Sequence, residues 1–485
     1  MEWHICVIFH GEVMNKQNTA HITTRKSIWQ ELKNAIRGTE EDYTKIGLRR
    51  AIFLLAIPMI LELVMESTFA LVDIYFVGKL GASAVATVGL TETYLYLLYS
   101  IGIGLSMAVT AIIARRVGEK KGEDAGSVAV QSIIMAFIAS MPFAVCGIFF
   151  AKELLALMGA DEWSIREGYK YTQWMLGGNV VIMFLFIINA IFRGAGDAAI
   201  AMRVLIISNV INIFLDPLFI FGWGPIPGMG IEGAAIATNI GRGVGVIFQF
   251  WMLFKGGKHI RIFVDHVRVN FHEIGHILKT ALGGIGQMII AMTSWIFLMR
   301  ILADVSSEAV AGATIALRIV MFTIMPAHGL ANAAATLVGQ NLGADRPDRA
   351  ESSVWKTGVY NMVFLLIVSV IFYIFHEELV GIFSQDPDVI AIGGDWLRIL
   401  SYSYFVYGWW MVTVSAFNGS GDTTTPTKIN FVFFWLIQIP LAYLLALHLD
   451  WGHTGVFWAV FLSETSVGLF TVWLFMKGKW KTVKV

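Results

Sequence analysis

Residues 51–78 read AIFLLAIPMILELVMESTFALVDIYFVG, an unbroken stretch of 28 residues that is apolar but for a few positions. At 1.5 Å per residue a helix of this length reaches about 40 Å and outruns the roughly 30 Å hydrocarbon core of a bilayer, so it must tilt or protrude. A lipid-facing span would carry no charge, yet this one carries Glu62, Glu66 and Asp73. Their spacings of four and seven place all three on one helix face, which must look into protein or water. An ionisable residue inside a span costs several kcal/mol on insertion scales and marks a functional site by default. Asp73 reads as functional. Glu62 reads equally well as a paired residue, because Pro58 frees the carbonyl of Leu54 and loosens the helix beside it.

The remainder of the chain has the same character. Of 485 residues, 56% are hydrophobic and 14% charged, which excludes an ordinary soluble protein. Eleven further spans are predicted near 84–114, 124–150, 163–191, 199–222, 231–254, 273–303, 308–341, 350–376, 388–417, 426–448 and 454–476, giving an all-α polytopic membrane protein of twelve transmembrane helices. Zero net charge, with no basic patch, points away from a nucleic-acid partner. Two cysteines, Cys6 and Cys146, supply neither a disulfide framework nor a thiolate metal site. The first hydrophobic run is short and contains His4, which does not fit a cleavable signal peptide, and Met14 serves as an alternative start. Ile28, Trp29, Leu32 and Ile36 recur at helical spacing among basic residues, a pattern suited to a short helix on an anionic membrane surface.

Basic residues set the orientation. Arg115, Arg116, Lys120 and Lys121 follow span 2, Arg193 and Arg203 flank the turn after span 4, and Lys255, Lys258, Arg261 and Arg268 follow span 6. Arg346, Arg349, Lys428 and the tail Lys477, Lys479, Lys481 and Lys484 continue the same side, whereas the opposite loops offer only Lys79, Lys152 and Arg166. Both termini are therefore expected in the cytoplasm, with the chain in the cytoplasmic (inner) membrane.

An internal repeat organises the spans. Gly104-Leu105 and RVGEKKGEDA (116–125) realign on Gly329-Leu330 and NLGADRPDRA (341–350) at an offset of 225, which also superposes FRGAGD (192–197) on FNGSGD (417–422). Six spans per half is an even number, so the halves share one orientation and are related by a pseudo-two-fold axis along the membrane normal. The expected division is a cytoplasmic N-terminal extension over 1–45, an N-lobe over 46–254, a linker over 255–272 and a C-lobe with a basic tail over 273–485. Such a pair encloses a central cavity and suits alternating access.

Polar residues converge at one level of the N-lobe. Span 5 ends NIFLDP, so Asn212 and Asp216 share a face, and Pro217 leaves the carbonyl of Ile213 unbonded beside them. Helical rise puts Asp73, Asp216 and Thr238 roughly 8–10 Å below the outer surface, with Asn212 about one turn deeper. Two carboxylates, an amide and a hydroxyl in a partly dry pocket can hold a proton or sodium, with no other metal and no organic cofactor indicated. The second half lacks these groups, Leu298, Ile437 and Leu441 standing at the corresponding positions. Glu464 is the one deep acid there, and reads as structural.

From about 46 to 476 the chain resembles the MATE family of multidrug and toxic compound extrusion antiporters. The resemblance is carried by VDIYFVGKLGASAVA, RGAGD with NGSGDTTTPTK, NIFLDPLFIFG, GIEGAAIAT and ALRI, in this order. It is nearest the DinF-like branch, and implies a cation or proton site at Asp73, Asn212, Asp216 and Thr238 with Tyr171 facing it. It also implies export of small amphipathic, often cationic, substrates by a monomer among membrane lipids, driven by sodium or protons. Separately, coupling is expected to arise if occupancy of the Asp73–Asp216 pocket bends span 1 at Pro58. Glu66 stands where many relatives have glutamine and is an additional cavity acid, which Arg242 one turn beyond Thr238 can offset.

Competing motifs carry less. HEIGH (272–276) matches a zinc-protease pattern but contains a glycine and has no evident third ligand, and GRGVG (241–245) lacks the strand-turn-helix context of a nucleotide fingerprint. No P-loop is present, so the chain reads as a secondary transporter and not an enzyme. The rival within transport is a flippase for a lipid-linked or polysaccharide precursor, kept open by Arg242, Arg300 and Arg318.

Overall fold

A chain with this hydropathy must satisfy its backbone within each segment, and helices do so. The computed structural model describes residues 28–483 apart from 40, 257–259, 261 and 263. Cys6, Met14, Lys258, Arg261 and Lys484 lie outside the described residues. After α1 (Ile28–Arg37) come α2 (Leu48–Gly78), α3 (Ala82–Gly118), α4 (Gly122–Leu157), α5 (Tyr169–Gly177), α6 (Asn179–Ala195), α7 (Ala198–Phe221) and α8 (Ile231–Lys255). The second half follows with α9 (Phe271–Val305), α10 (Ser307–Gly343), α11 (Pro347–Gly381), α12 (Pro387–Ser401) and α13 (Tyr404–Ser420). The last two are α14 (Thr424–His448), a rod whose hydrogen bonding widens to the π pattern at Phe431–Gln438 and Leu444–His448, and α15 (Gly452–Met476).

Ten helices among the described residues are long and apolar enough to cross a membrane. Two of the expected spans fall outside that measure, for different reasons. On α8, polar residues are turned inward, with Thr238, Arg242 and Gln249 all buried. Span 10 is broken at Tyr402-Ser403 into α12 and α13, just as Gly178 separates α5 from α6 in the first half, 225 positions earlier.

Other irregularities recur at the same offset. Phe150 and Phe375 leave helical geometry inside α4 and α11 with nearly the same torsions, φ −127° and −116°. Gly196 and Gly421 end α6 and α13 in the left-handed conformation, at φ +91° and +93°, which a side chain would resist.

The halves embrace by exchange. Helix α2 packs on α10 of the other half, and α3 packs on α9. A Cβ on Gly104 would fall within 3.0 Å of the Ile285 backbone, and one on Gly329 would fall 2.7 Å from the Ile60 nitrogen. Residues 60 and 285, like 104 and 329, are 225 apart, so one contact is made twice with the partners swapped. At the basic-loop end, Gly118 meets the Gln340 carbonyl and Gly343 meets the Arg115 carbonyl, again an exchanged pair. Gln340 Nε2 also donates to the Gly194 carbonyl (3.0 Å) and Thr336 Oγ1 to that of Arg193 (3.2 Å). The halves are thus sealed at the basic-loop end.

Each half has an apolar core, one built around α3, α4 and α6 and the other around α10 to α13, and Ile277 and Ala281 of α9 join the first. The extension before α2 is more than the surface leader its composition implied. Tyr43 is buried against Gly196, and Arg346 and Arg349 donate to the carbonyls of Thr44 and Tyr43. The segment therefore straps both halves together where they are sealed. Part of the inter-lobe linker is likewise tied down, Gln131 Nε2 of α4 donating to the carbonyls of His266 (3.2 Å) and Arg268 (2.9 Å).

Candidate functional site

The acidic face of α2 meets the first half at two levels. At the inner level Glu62 is buried and accepts from Arg193 Nη1 at 2.6 Å and Asn189 Nδ2 at 3.2 Å, both on α6, and Asn189 Oδ1 accepts from Gln249 of α8 at 2.6 Å. The paired alternative for Glu62 is the one observed. Arg193, a loop charge by its place in the sequence, is instead a partner within the protein. One turn outward, Glu66 Oε1 lies 3.0 Å from Arg242 Nη2 of α8, whose guanidinium stacks 4.6 Å over the Phe69 ring. Arg242 thus offsets the extra acid at Glu66. These groups border a cavity of about 300 Å³ between the halves, closed on the other side by Met288, His328 and Asn418.

Breaking the inner pair leaves a buried carboxylate without its cation, the more damaging half of a buried ion pair. Arg193→Ala is expected to cost about 3 kcal/mol of stability, the low end for such a loss because Asn189 stays in place. A thermal-denaturation series in detergent measures this, and Glu62→Gln combined with Arg193→Ala is expected to recover part of it.

At the outer level Asp73, Tyr171, Asn212, Asp216 and Thr238 come from four helices. Packing of α7 on α8 is intimate because Gly241 sits against the Ser208 carbonyl and Gly245 against the Ser208 side chain, so the GRGVG stretch serves close helix approach. Thr238 lies one turn before Gly241, on which a Cβ would come 3.4 Å from that of Asn212. Asn212 Nδ2 donates to Asp216 Oδ1 at 2.9 Å, and both residues are fully buried. Tyr171 and Thr238 are each 3% exposed, and Asp73 lies close enough to act electrostatically on Asp216 and Tyr171.

Three oxygens of this cluster, Asp73 Oδ1, Asn212 Oδ1 and Asp216 Oδ2, are buried and accept nothing from the protein. Buried acceptors are ordinarily satisfied, so each of the three calls for a donor or a positive charge that the described residues do not supply. A hard-oxygen set of this kind accommodates a small cation or bound protons. Pro58 lies buried within α2, which runs helical through it, two residues before the close contact of Ile60 with Gly329.

Glu273 of the HEIGH stretch accepts from Ser127 Oγ at 2.6 Å and so ties α9 to α4. Among the described residues no group of three or more His, Cys, Asp or Glu is placed to hold a metal ion.

A model of the MatE family matches residues 58–218 and 282–444, one segment in each half of the repeat. The probable multidrug resistance protein NorM of Thermotoga maritima is 26% identical over 439 residues, covering 90% of this chain and 93% of its own length. The FAD transporter of Shewanella oneidensis is 25% identical over 423 residues, with coverage of 87% and 92%. Among solved structures, MATE in the straight conformation aligns with a TM-score of 0.82 at 25% identity, covering 92% of this chain and 98% of that one.

Proposed function

We propose, from the premise that this chain belongs to the MatE family of multi-pass membrane transporters, that it is a secondary antiporter exporting amphipathic, often cationic, compounds across the cytoplasmic membrane in exchange for sodium or protons. The observation that carries this reading is the set of three unsatisfied oxygens of Asp73, Asn212 and Asp216, on residues outside the lining of the central cavity. Thr238 and Tyr171 complete the cation or proton site, and Glu66 with Arg242 forms a neutral pair on the cavity wall. The chain acts as a monomer, with an N-lobe over 46–254 and a C-lobe over 273–485, and no cofactor enters. Reconstituted in liposomes, it is expected to export a fluorescent cationic dye under one imposed gradient, sodium or proton, and not under the other. Equal export with no gradient would overturn antiport.

Coupling follows if the ion and the substrate favour different lobe arrangements. We place the moving element at Pro58: occupancy of the outer cluster bends α2 there and redraws the cavity wall that carries Glu62 and Glu66. Pro58→Ala restores a backbone hydrogen bond and stiffens the bend, so coupled export is expected to fall roughly five- to fiftyfold while ion binding persists, within the range of ordinary coupling energies. Undiminished coupling removes Pro58 from the mechanism.

The flippase reading keeps only Arg318 of its three arginines without an ion-pair partner among the described residues. Arg242 is neutralised by Glu66 and Arg300 by Asp304 at 3.2 Å, which leaves fewer free cations for a phosphate-bearing lipid. Export of anionic species, of which one relative is named a transporter, calls for unpaired cations on the cavity wall, and both Arg193 and Arg242 are paired.

A further inference from the structure

The second half has a pocket of its own. A cavity of about 150 Å³ shares Met288, His328 and Asn418 with the central one and extends between α13, α14 and α15. Glu464 lines it, thirteenth of the 25 residues of α15 and hence near the bilayer midplane. The sequence reading makes this acid structural, which requires a partner holding it in place. Its carboxylate accepts no hydrogen bond and forms no ion pair among the described residues.

Two further polar atoms on the same wall are orphaned. Asn430 is 4% exposed, and its Oδ1 accepts nothing, as Trp410 Nε1 donates to nothing. Asn430 immediately precedes, and Gln438 ends, the π-helical stretch of α14, an irregularity that recurs at functional sites. Tyr407 and Trp410, with ring centroids 4.6 Å apart, present aromatic surface to the pocket. A carboxylate and an amide carbonyl in want of donors, beside aromatic rings, are complementary to an ammonium group carrying N–H bonds on an apolar body.

We infer that the pocket around Glu464 and Asn430 is a binding subsite for the ammonium head of an amphipathic amine, with the apolar body extending into the central cavity past Met288. This deepens the export reading above and rests on it for the substrate class. The division of labour is then spatial: the coupling ion occupies the outer cluster of the first half and the cationic head of the substrate the midplane of the second.

Dansylcadaverine, a fluorescent primary amine, and its uncharged N-acetyl derivative form a probe pair differing only in the head group. Binding of both to the purified full chain in detergent, without any gradient, is followed by fluorescence. Glu464→Gln is expected to weaken dansylcadaverine about tenfold, about 1.4 kcal/mol, and to leave the acetylated probe unchanged, while Glu464→Asp retains most of the affinity. An unchanged Kd for the amine, or an equal loss for both probes, overturns the proposal. Should Glu464→Gln fail to fold, Asn430→Leu removes the unpartnered acceptor, and an unchanged amine affinity there is equally fatal. Loss of gradient coupling in liposomes with this binding intact counts against antiport alone, so the two ideas fail separately.

Discussion

Asp73→Asn is expected to abolish gradient-driven export, dye efflux from liposomes falling to the leak of protein-free vesicles. The substitution keeps the size and planarity of the side chain and removes its charge and its titratable proton. At an effective dielectric near 20, a unit charge about 4 Å from a bound cation contributes on the order of 4 kcal/mol. Its loss lowers ion affinity by roughly a thousandfold, and Asp216 alone cannot compensate because Asn212 already engages one of its oxygens. Coupling through protons is lost as well, since an amide does not exchange a proton at neutral pH. Dye binding without a gradient is expected to survive, which separates a coupling defect from misfolding. Export persisting at the wild-type rate would remove Asp73 from the coupling site.

The second large effect is conformational. Gly104→Val together with Gly329→Val places side chains where the opposing backbones of Ile285 and Ile60 now lie. Overpacking a tight contact costs about 1–3 kcal/mol, and a contact with backbone belongs at the upper end because backbone cannot rotate aside. With both close approaches blocked, the sealed arrangement is disfavoured by about 5 kcal/mol, enough to invert a two-state population ratio several thousandfold. Cross-linking of a cysteine pair at positions 115 and 343 reads this directly, strong in the parent and absent in the double variant. Undiminished cross-linking would mean that the seam tolerates side chains and that the sealing lies elsewhere.

Much of this was legible in the sequence because the controlling constraints are local or periodic. Hydrophobic length fixes most of the spans, and the 225-residue register read from FRGAGD and FNGSGD places the turns at Gly196 and Gly421. The breaks after Gly177 and Tyr402 and the kinks at Phe150 and Phe375 keep the same register but are not read from the sequence, where continuous spans are expected. For Asp73, Asn212 and Asp216 the sequence offers a similar depth, since helical rise alone sets it.

What escaped depends on rotation and on distant partners. Arg193 reads as a loop cation until α6 is seen to run through it and deliver it to Glu62, 131 positions away. Tyr43 carries no sign of burial, because the surface that covers it belongs to other parts of the chain. Glu464 reads as structural because a lone acid suggests a partner, and only coordinates show that the partner is missing. The one signal for it was the pair of amides at Asn430 and Gln438 on the neighbouring span.

The exchanged contacts bear on the ancestry of the chain. Ile60 against Gly329 and Ile285 against Gly104 are a single contact made twice about a two-fold axis, the defining property of an isologous interface between identical subunits. A six-span protein carrying one isoleucine and one glycine at these positions would have closed on a second copy of itself through the same seam, with no covalent connection between them. Fusion then released each copy from serving both roles. One now carries acids at Asp73 and Asp216, while the other has Leu298 and Leu441 at those positions and a lone acid, Glu464, on its last helix. The asymmetry that gives the molecule two different pockets is thus a freedom that a symmetric dimer of one gene product could never have had.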